Sequence, residues 1–187
     1  IIDKYIFTKA MGRSPKEQLI TVKDEKQEIY GGGIVATANH ISSFVRNSTL
    51  LTILSNNKNE NKKVIKFIDK KINKIFFYHK NLSNLIKTRY LDSSNNQKLF
   101  QTANWGISTI DKKVEQKILN YLKKNIKKFD HVIVHDFGHG LFTNKIINFI
   151  QNNSIFLSIN TQTNSTNIGY NYITKYSKAD YISIDEP

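Results

Sequence analysis

The apolar positions change period several times along the chain, and each change predicts a new element. Residues 17–30 alternate around a charged stretch at Lys23–Lys26, which predicts two short strands with a turn between them. Gly31-Gly32-Gly33 follows, and Ile34 to Val45 is apolar and alanine-containing, a predicted helix. Thr49–Leu54 is a short apolar strand. Residues 60–73 set Val64, Ile65, Phe67, Ile68 and Ile72 among lysines, the pattern of an amphipathic helix. Lys74–Tyr78 predicts a strand. Leu85–Leu91 and Lys98–Ala103 flank Asp92-Ser93-Ser94-Asn95-Asn96 and predict a hairpin.

The second half is more regular. Asp111 is placed to cap a helix running to about Lys127, with Val114, Ile118, Leu119, Leu122 and Ile126 on one face. His131–His135, Ile155–Ile159 and Tyr181–Ile184 have the composition of buried strands, and Thr143–Gln151 is a helix with Ile146, Ile147 and Ile150 inward. Apolar strands alternating with amphipathic helices predict an α/β fold with a mainly parallel sheet covered on both faces. In such a sheet ligands bind beyond the carboxyl ends of the strands. The residues to examine are therefore Asp136-Phe137-Gly138-His139-Gly140, Asn160-Thr161-Gln162 and Asp185-Glu186.

Composition narrows the function classes. The 187 residues carry a net charge of +13, a balance that nucleic-acid binders share. Yet the chain has 25 Lys, 22 Asn and 27 Ile against 3 Arg, the profile of A/T-rich codons. The lysines are spread along solvated helix faces, and few arginines are available for bidentate phosphate contacts, so no nucleic-acid partner is expected. No apolar run approaches the roughly 20 residues of a membrane helix, and Ile1–Phe7, broken by Asp3 and Lys4, is not read as a secretory leader. The absence of cysteine removes disulfides and thiolate metal sites and fits a cytoplasmic location.

Gly31-Gly32-Gly33, opening a helix, is either a backbone amide cradle or a flexible turn. It lacks the Gly-Lys-Ser/Thr ending of a phosphate-binding loop and the Gly-x-Gly-x-x-Gly spacing of a dinucleotide site. His131, His135 and His139 lie four apart, but along a strand four residues span about 13 Å, too far for His131 and His135 to share a metal. Trp105 and Tyr90 are assigned to packing. Asp136, at a strand end before Gly138 and Gly140, should point into the crevice beyond the sheet, towards Asp3 and the glycine amides. The alternative is a cap for the helix near Thr143.

At these residues the chain resembles the ribokinase-like family of sugar kinases, and within it the heptose-phosphate kinase domain of ADP-heptose synthases. Ile1-Ile2-Asp3-Lys4-Tyr5 resembles the end of the family's first strand, and Gly12-Arg13-Ser14-Pro15-Lys16 the segment leading into its lid. Tyr30-Gly31-Gly32-Gly33 with Asn39 resembles the sugar-binding turn and helix. Lys87-Thr88-Arg89-Tyr90 resembles a Lys-x-Arg hairpin, Asp136-Phe137-Gly138-His139-Gly140 an Asp-Tyr-Gly-Lys-Gly turn, and Asp185-Glu186-Pro187 the start of a Pro-Asn-x-x-Glu segment. Val35, His139 and Asn160-Thr161-Gln162 depart from the family pattern.

The resemblance implies a three-layer α/β sandwich, with residues 1–187 as the N-terminal portion of a kinase domain and lid strands near 5–30 and 85–103. It implies ATP-dependent phosphorylation of a sugar or sugar phosphate, heptose-7-phosphate-like, in ADP-heptose or related surface-sugar synthesis, with ATP and Mg²⁺ as cofactors. Asp3, Gly31, Gly32 and Asn39 would bind the sugar, Lys87 and Arg89 a substrate phosphate, and Asp136 the sugar–phosphoryl junction. Asn160, Gln162, Asp185 and Glu186 would lie near the nucleotide and metal. The family's catalytic base is expected beyond Pro187, so residues 1–187 alone should not turn over. A homodimer through the lid is expected, since open sheet edges pair. The alternative is a sugar- or nucleotide-binding module that kept the fold without the chemistry.

Overall fold

The computed structural model describes all residues except 15, 17, 18, 83, 105–108, 164–170 and 185–187. The chain forms two compact units, Ile1–Leu50 with Asn57–Lys74 and Ser83–Trp105, and Leu51–Asn56 with Ile75–Leu82 and Gly106–Pro187.

In the first unit, β1 (Ile2–Arg13) and β2 (Ile20–Gly31) pair antiparallel along almost their whole length. The two short strands expected over 17–30 are thus one strand. Lys23–Lys26 is no turn, because it runs within the ladder with β1, and the reversal sits earlier, where Ser14 N–H donates to Leu19 O. The register slips between Phe7 and Thr8 and again between Ala10 and Gly12, and Gly12 takes φ 111° at the second slip, a backbone conformation that favours glycine. β5 (Ile86–Asp92) adds parallel to β1 and β6 (Lys98–Asn104) antiparallel to β5, giving the order β2-β1-β5-β6. Ile2, Ile6 and Thr8 are buried, while Asp3, Tyr5 and Phe7 alternate onto the other face.

Gly31 leads into α1 (Ile34–Ser42), shorter than expected because Ser43 and Phe44 bond back to His40 and Ile41 in tight turns. α2 (Lys58–Ile65) is capped by Asn57 and also ends early. Val64, Ile68 and Ile72 keep helical spacing and are buried, but turns replace the α ladder after Ile65. The physical reason lies across the unit. The Asn39 amide donates to Phe67 O at 2.7 Å and accepts from Asp69 N–H at 2.9 Å, taking two backbone groups that a continued helix would have used.

In the second unit, β7 (Val132–Asp136), β8 (Leu157–Thr161) and β9 (Tyr181–Ile184) form a parallel sheet in that order. α3 (Lys112–Asn125), continued by a 3₁₀ turn to Lys128, starts where Asp111 accepts from Val114 N–H at 2.8 Å. α4 (Asn144–Asn153) is capped by the Thr143 hydroxyl. Ile118, Ile126, Ile146 and Ile159 are almost wholly enclosed in one core against which Ile53 and Phe77 pack. Those two come from β3 (Thr49–Ser55) and β4 (Asn73–His79), which pair with each other. β9 departs from expectation: Tyr181, Ile182 and Ile184 are exposed although their sequence is that of a buried strand. An apolar run favours a strand, but it does not supply the layer that would cover it.

Candidate functional site

Period-two alternation in β1 and its neighbours brings several chemical groups to one sheet face. Asp3 lies opposite Tyr30 on β2 and Lys87 on β5, and Tyr5 lies opposite Glu28 and Arg89. The Arg89 guanidinium donates through Nη1 to Asp3 Oδ1 at 2.6 Å and to the Tyr5 hydroxyl at 3.3 Å, and lies 5.2 Å over the Tyr5 ring. Both charged side chains are mostly covered, 17% and 19% exposed, so this ion pair is shielded more than a surface pair would be. Asp3 Oδ2 makes no hydrogen bond among the described residues and rests against Gly32. A Cβ on Gly32 would come 2.7 Å from Asp3 Cγ and closer still to Oδ2.

An open depression of about 400 Å³ lies on this face, lined by Asp3, Tyr5, Phe7, Glu28, Tyr30, Leu91 and Asn96. Tyr30 packs edge-on to Tyr5 and donates its hydroxyl to Glu28 at 2.7 Å. Glu28 also pairs with Lys26, and these two contacts hold its carboxyl below the usual range. Lys87 is half-buried and has no hydrogen-bond or ion-pair partner among the described residues. Burial, followed by the nearby Arg89 charge, lowers its pKa.

The structure brings Asp3, Gly32, Lys87 and Arg89 together and gives the other expected residues different tasks. Gly31 nests against Val35 and Phe67, where a Cβ would lie 2.6 and 2.7 Å from their side chains. The Gly32 amide is no hydroxyl cradle, because it donates to Ile1 O at 3.1 Å. Asn39 is the strut described above. Asn160 ties β8 to β9 by donating to Ser183 O at 3.0 Å, and Gln162 N–H donates to Asp136 O at 3.0 Å. Asp185 and Glu186 lie outside the described residues.

Asp136 departs from both of its sequence readings. Its carboxylate neither opens onto a crevice nor caps α4, and the residue is 2% exposed. Oδ1 accepts from Gly138 N–H at 2.8 Å, and Oδ2 accepts from the Tyr176 hydroxyl at 2.8 Å and pairs with Lys175 at 2.5 Å. Burial and this carboxylate push the Tyr176 phenol far above its ordinary pKa. Buried Asn171 completes the cluster by donating to Asp136 O and Gln162 O and accepting from Lys175. Asp136 is thus the knot that ties residues 171–176 to the end of β7.

Sequence reasoning passed over Tyr5, Phe7, Glu28 and Tyr30. The signal was present, since Asp3, Tyr5 and Phe7 stand at alternate positions, but it becomes readable only once β1 is known to extend through them. Among the described residues no group of three or more His, Asp or Glu side chains converges on a point where a metal could sit.

No family model matches the chain. Two curated proteins, both named bifunctional protein HldE, are similar to it. The one from a Nitratiruptor species is 25% identical over 146 residues, 78% of this chain and 31% of that protein. The one from Aliarcobacter butzleri is 28% identical over 166 residues, 83% of this chain and 33% of that protein. The ribokinase of Giardia lamblia superposes with a TM-score of 0.62 at 10% identity, covering 99% of this chain and 54% of that one. The chain therefore spans about a third of its curated relatives and about half of that solved chain. It has the ribokinase-like fold and is similar to part of two proteins named bifunctional protein HldE.

Proposed function

We propose that this chain is the sugar-binding portion of an ATP-dependent carbohydrate kinase whose acceptor is a sugar phosphate of the heptose 7-phosphate type. The observation that carries the reading is the sheet face of the first unit. There a fixed carboxylate, Asp3, keeps one oxygen free beside a depression walled by Tyr5, Phe7 and Tyr30. Sugars present hydroxyl donors and apolar ring faces together, so a carboxylate acceptor flanked by aromatic rings matches both. A volume near 400 Å³ lies in the range of small-ligand sites. The relation to HldE and the ribokinase-like fold support the same class, and the ADP-heptose or a related surface-sugar route in the cytoplasm is the setting it suggests.

Phosphoryl transfer depends on holding the acceptor hydroxyl in line and stabilising charge. In this chain Asp3 would accept from a sugar hydroxyl, the aromatic rings would cover one face of the sugar, and Gly32 would leave the room that Asp3 occupies. ATP with Mg²⁺ would supply the phosphoryl group. The described residues include no acidic cluster for that metal, so none of them is assigned a step in donor binding or proton removal. A second copy is proposed to join through the lid sheet. β2 is protected along its edge by Lys23, Asp24, Glu25 and Lys26, whereas β6 exposes Leu99 and Phe100 and is the better candidate edge.

The enclosure of Asp136 favours a second reading, a sugar-binding module without transfer chemistry, because a carboxylate held by Tyr176 and Lys175 cannot meet a substrate. An assay of ADP release by the whole protein with heptose 7-phosphate and ATP separates the two. Turnover supports the kinase. Binding without turnover supports the module. The absence of both overturns the sugar-site reading.

A further inference from the structure

β1 and β2 run further than the sheet they belong to. The parallel pairing with β5 ends at Thr8 and Asp92, and beyond it Lys9–Arg13 and Ile20–Lys23 pair only with each other. Within this ribbon Val22 is partly covered and every other residue is exposed. Two strands with no third strand and no covering layer are marginal in water.

The end of the ribbon is apolar. Met11 is the extra residue of the bulge beside Gly12 and has no partner across the ladder. Met11, Leu19 and Ile20 are all exposed, Ile20 by 72%. Next to this apex stands a basic collar. Lys9 lies directly across from Lys23, a like-charge pair that repels. Arg13 lies across from Ile20, and Lys16 is exposed in the connection between the strands. From Lys9 to Lys23 the sequence holds the basic residues Lys9, Arg13, Lys16 and Lys23 against one acid, Glu17. Asp24, opposite Thr8, and Glu25 come only where the ribbon rejoins the sheet.

An apolar apex within a collar of cations matches a surface that offers anions at one depth and hydrocarbon just below it, the order of groups at a bilayer interface. A second copy matches it poorly, because the chain carries a net charge of +13 and two such ribbon ends repel. Among the described residues no helix is long and apolar enough to cross a membrane, and the contact argued here is with the lipid surface.

We propose that the β1–β2 ribbon docks on an anionic lipid surface, with Met11, Leu19 and Ile20 entering the headgroup boundary and Lys9, Arg13, Lys16 and Lys23 meeting lipid phosphates. The proposal is independent of the sugar-site reading, since none of these residues lines the depression on the Asp3 face.

Co-sedimentation of the whole protein with two kinds of vesicle tests it: phosphatidylcholine alone, and an equal mixture of phosphatidylcholine and phosphatidylglycerol. The mixed vesicles should bind at least about tenfold more tightly, and added salt should remove most of the difference. Leu19→Ser with Ile20→Thr should weaken binding to the mixed vesicles about tenfold through lost apolar area. Lys9→Gln with Lys23→Gln should weaken it about tenfold or more. Lys123→Gln with Lys124→Gln, in the last turn of α3, removes the same charge elsewhere and should change binding less than about twofold, which separates the ribbon from the charge of the whole chain. Ile20→Thr keeps a β-branched residue in the ladder, and the Lys9 and Lys23 substitutions relieve a repulsion, so the second pair tests the proposal even where the first does not fold. Equal binding to both kinds of vesicle, binding to neither, or a loss in the α3 variant as large as in the ribbon variants overturns the proposal. Self-association that needs Leu19 and Ile20 and proceeds without vesicles gives the apex to a second copy, and overturns it too.

Discussion

Gly32 and Asp3 show how a missing side chain at one position makes room for the side chain of another. The carboxylate of Asp3 occupies the space a Cβ would fill, and the backbone of Gly32 is not in the left-handed region, so the demand for glycine there is steric. Gly32→Ala should displace Asp3 Oδ2 and weaken sugar binding at least about tenfold, read by titration, while far-UV circular dichroism stays that of the parent. Lys87 makes a second testable point. Its pKa is lowered, first by burial and then by Arg89, and phosphate binding needs the ammonium. If Lys87 meets the substrate's phosphate, the affinity for a sugar phosphate relative to its free sugar should therefore fall with rising pH, and at lower pH than an ordinary lysine would allow. Lys87→Arg, always charged, should flatten the decline. Asp136 is a third case. Asp136→Asn keeps an oxygen for Gly138 but leaves Lys175 without its counter-charge. Its expected effect is a stability loss of about 2 kcal/mol by chemical denaturation, with no direct effect on sugar affinity.

The elements fall into two kinds, those closed by their own residues and those shaped by another segment. α3 is of the first kind. Asp111 stands at its N-cap with its carboxylate on Val114 N–H, and Lys123 and Lys124 lie in its last turn, a charge order matched to the helix dipole. Asp111→Ala should cost about 1 kcal/mol in thermal or denaturant unfolding. α2 is of the second kind: its apolar spacing runs on to Ile72, yet Asn39 stops the ladder. β2 belongs there too, since only the ladder with β1 turns its charged centre into strand. The residues that line the candidate depression come from β1, β2, β5 and the Asp92–Gln97 turn, where Asn96 adopts φ 59°, a conformation that Asn tolerates better than most residues.

Across the whole molecule the two units differ in what their residues build. The second is built around a dense aliphatic core of Ile118, Ile126, Ile146 and Ile159, and its polar knot at Asp136 serves stability. The first carries a sheet face rich in chemistry. A cavity in the second unit should therefore cost stability without altering the site. Ile118, 1% exposed, is the probe: Ile118→Ala should lower unfolding free energy by about 3 kcal/mol and leave sugar affinity, measured well below the melting temperature, within about twofold. A coupled loss of affinity at that temperature would show that this core and the Asp3 face are not energetically separate.

Several features of this chain were legible from its sequence because they depend on neighbours within a few residues. Helical spacing and an N-cap aspartate placed α3, apolar runs placed β7 and β8, and Asp92-Ser93-Ser94-Asn95-Asn96 placed the hairpin. The resemblance implies binding roles for Asp3, Gly31, Gly32, Asn39, Lys87, Arg89 and Asp136, and of these the structure brings Asp3, Gly32, Lys87 and Arg89 together. What the sequence could not assign were roles that depend on groups far along the chain. Arg89 is paired with a residue 86 positions away, Asp136 with one 40 away, and Asn39 with backbone 28 and 30 residues away. A side chain in isolation carries only its capacity to donate, accept or hold charge. Whether that capacity is kept for a ligand or used up within the protein is decided by which partner the tertiary fold brings within about 3 Å, because a hydrogen bond made internally is no longer available to a ligand.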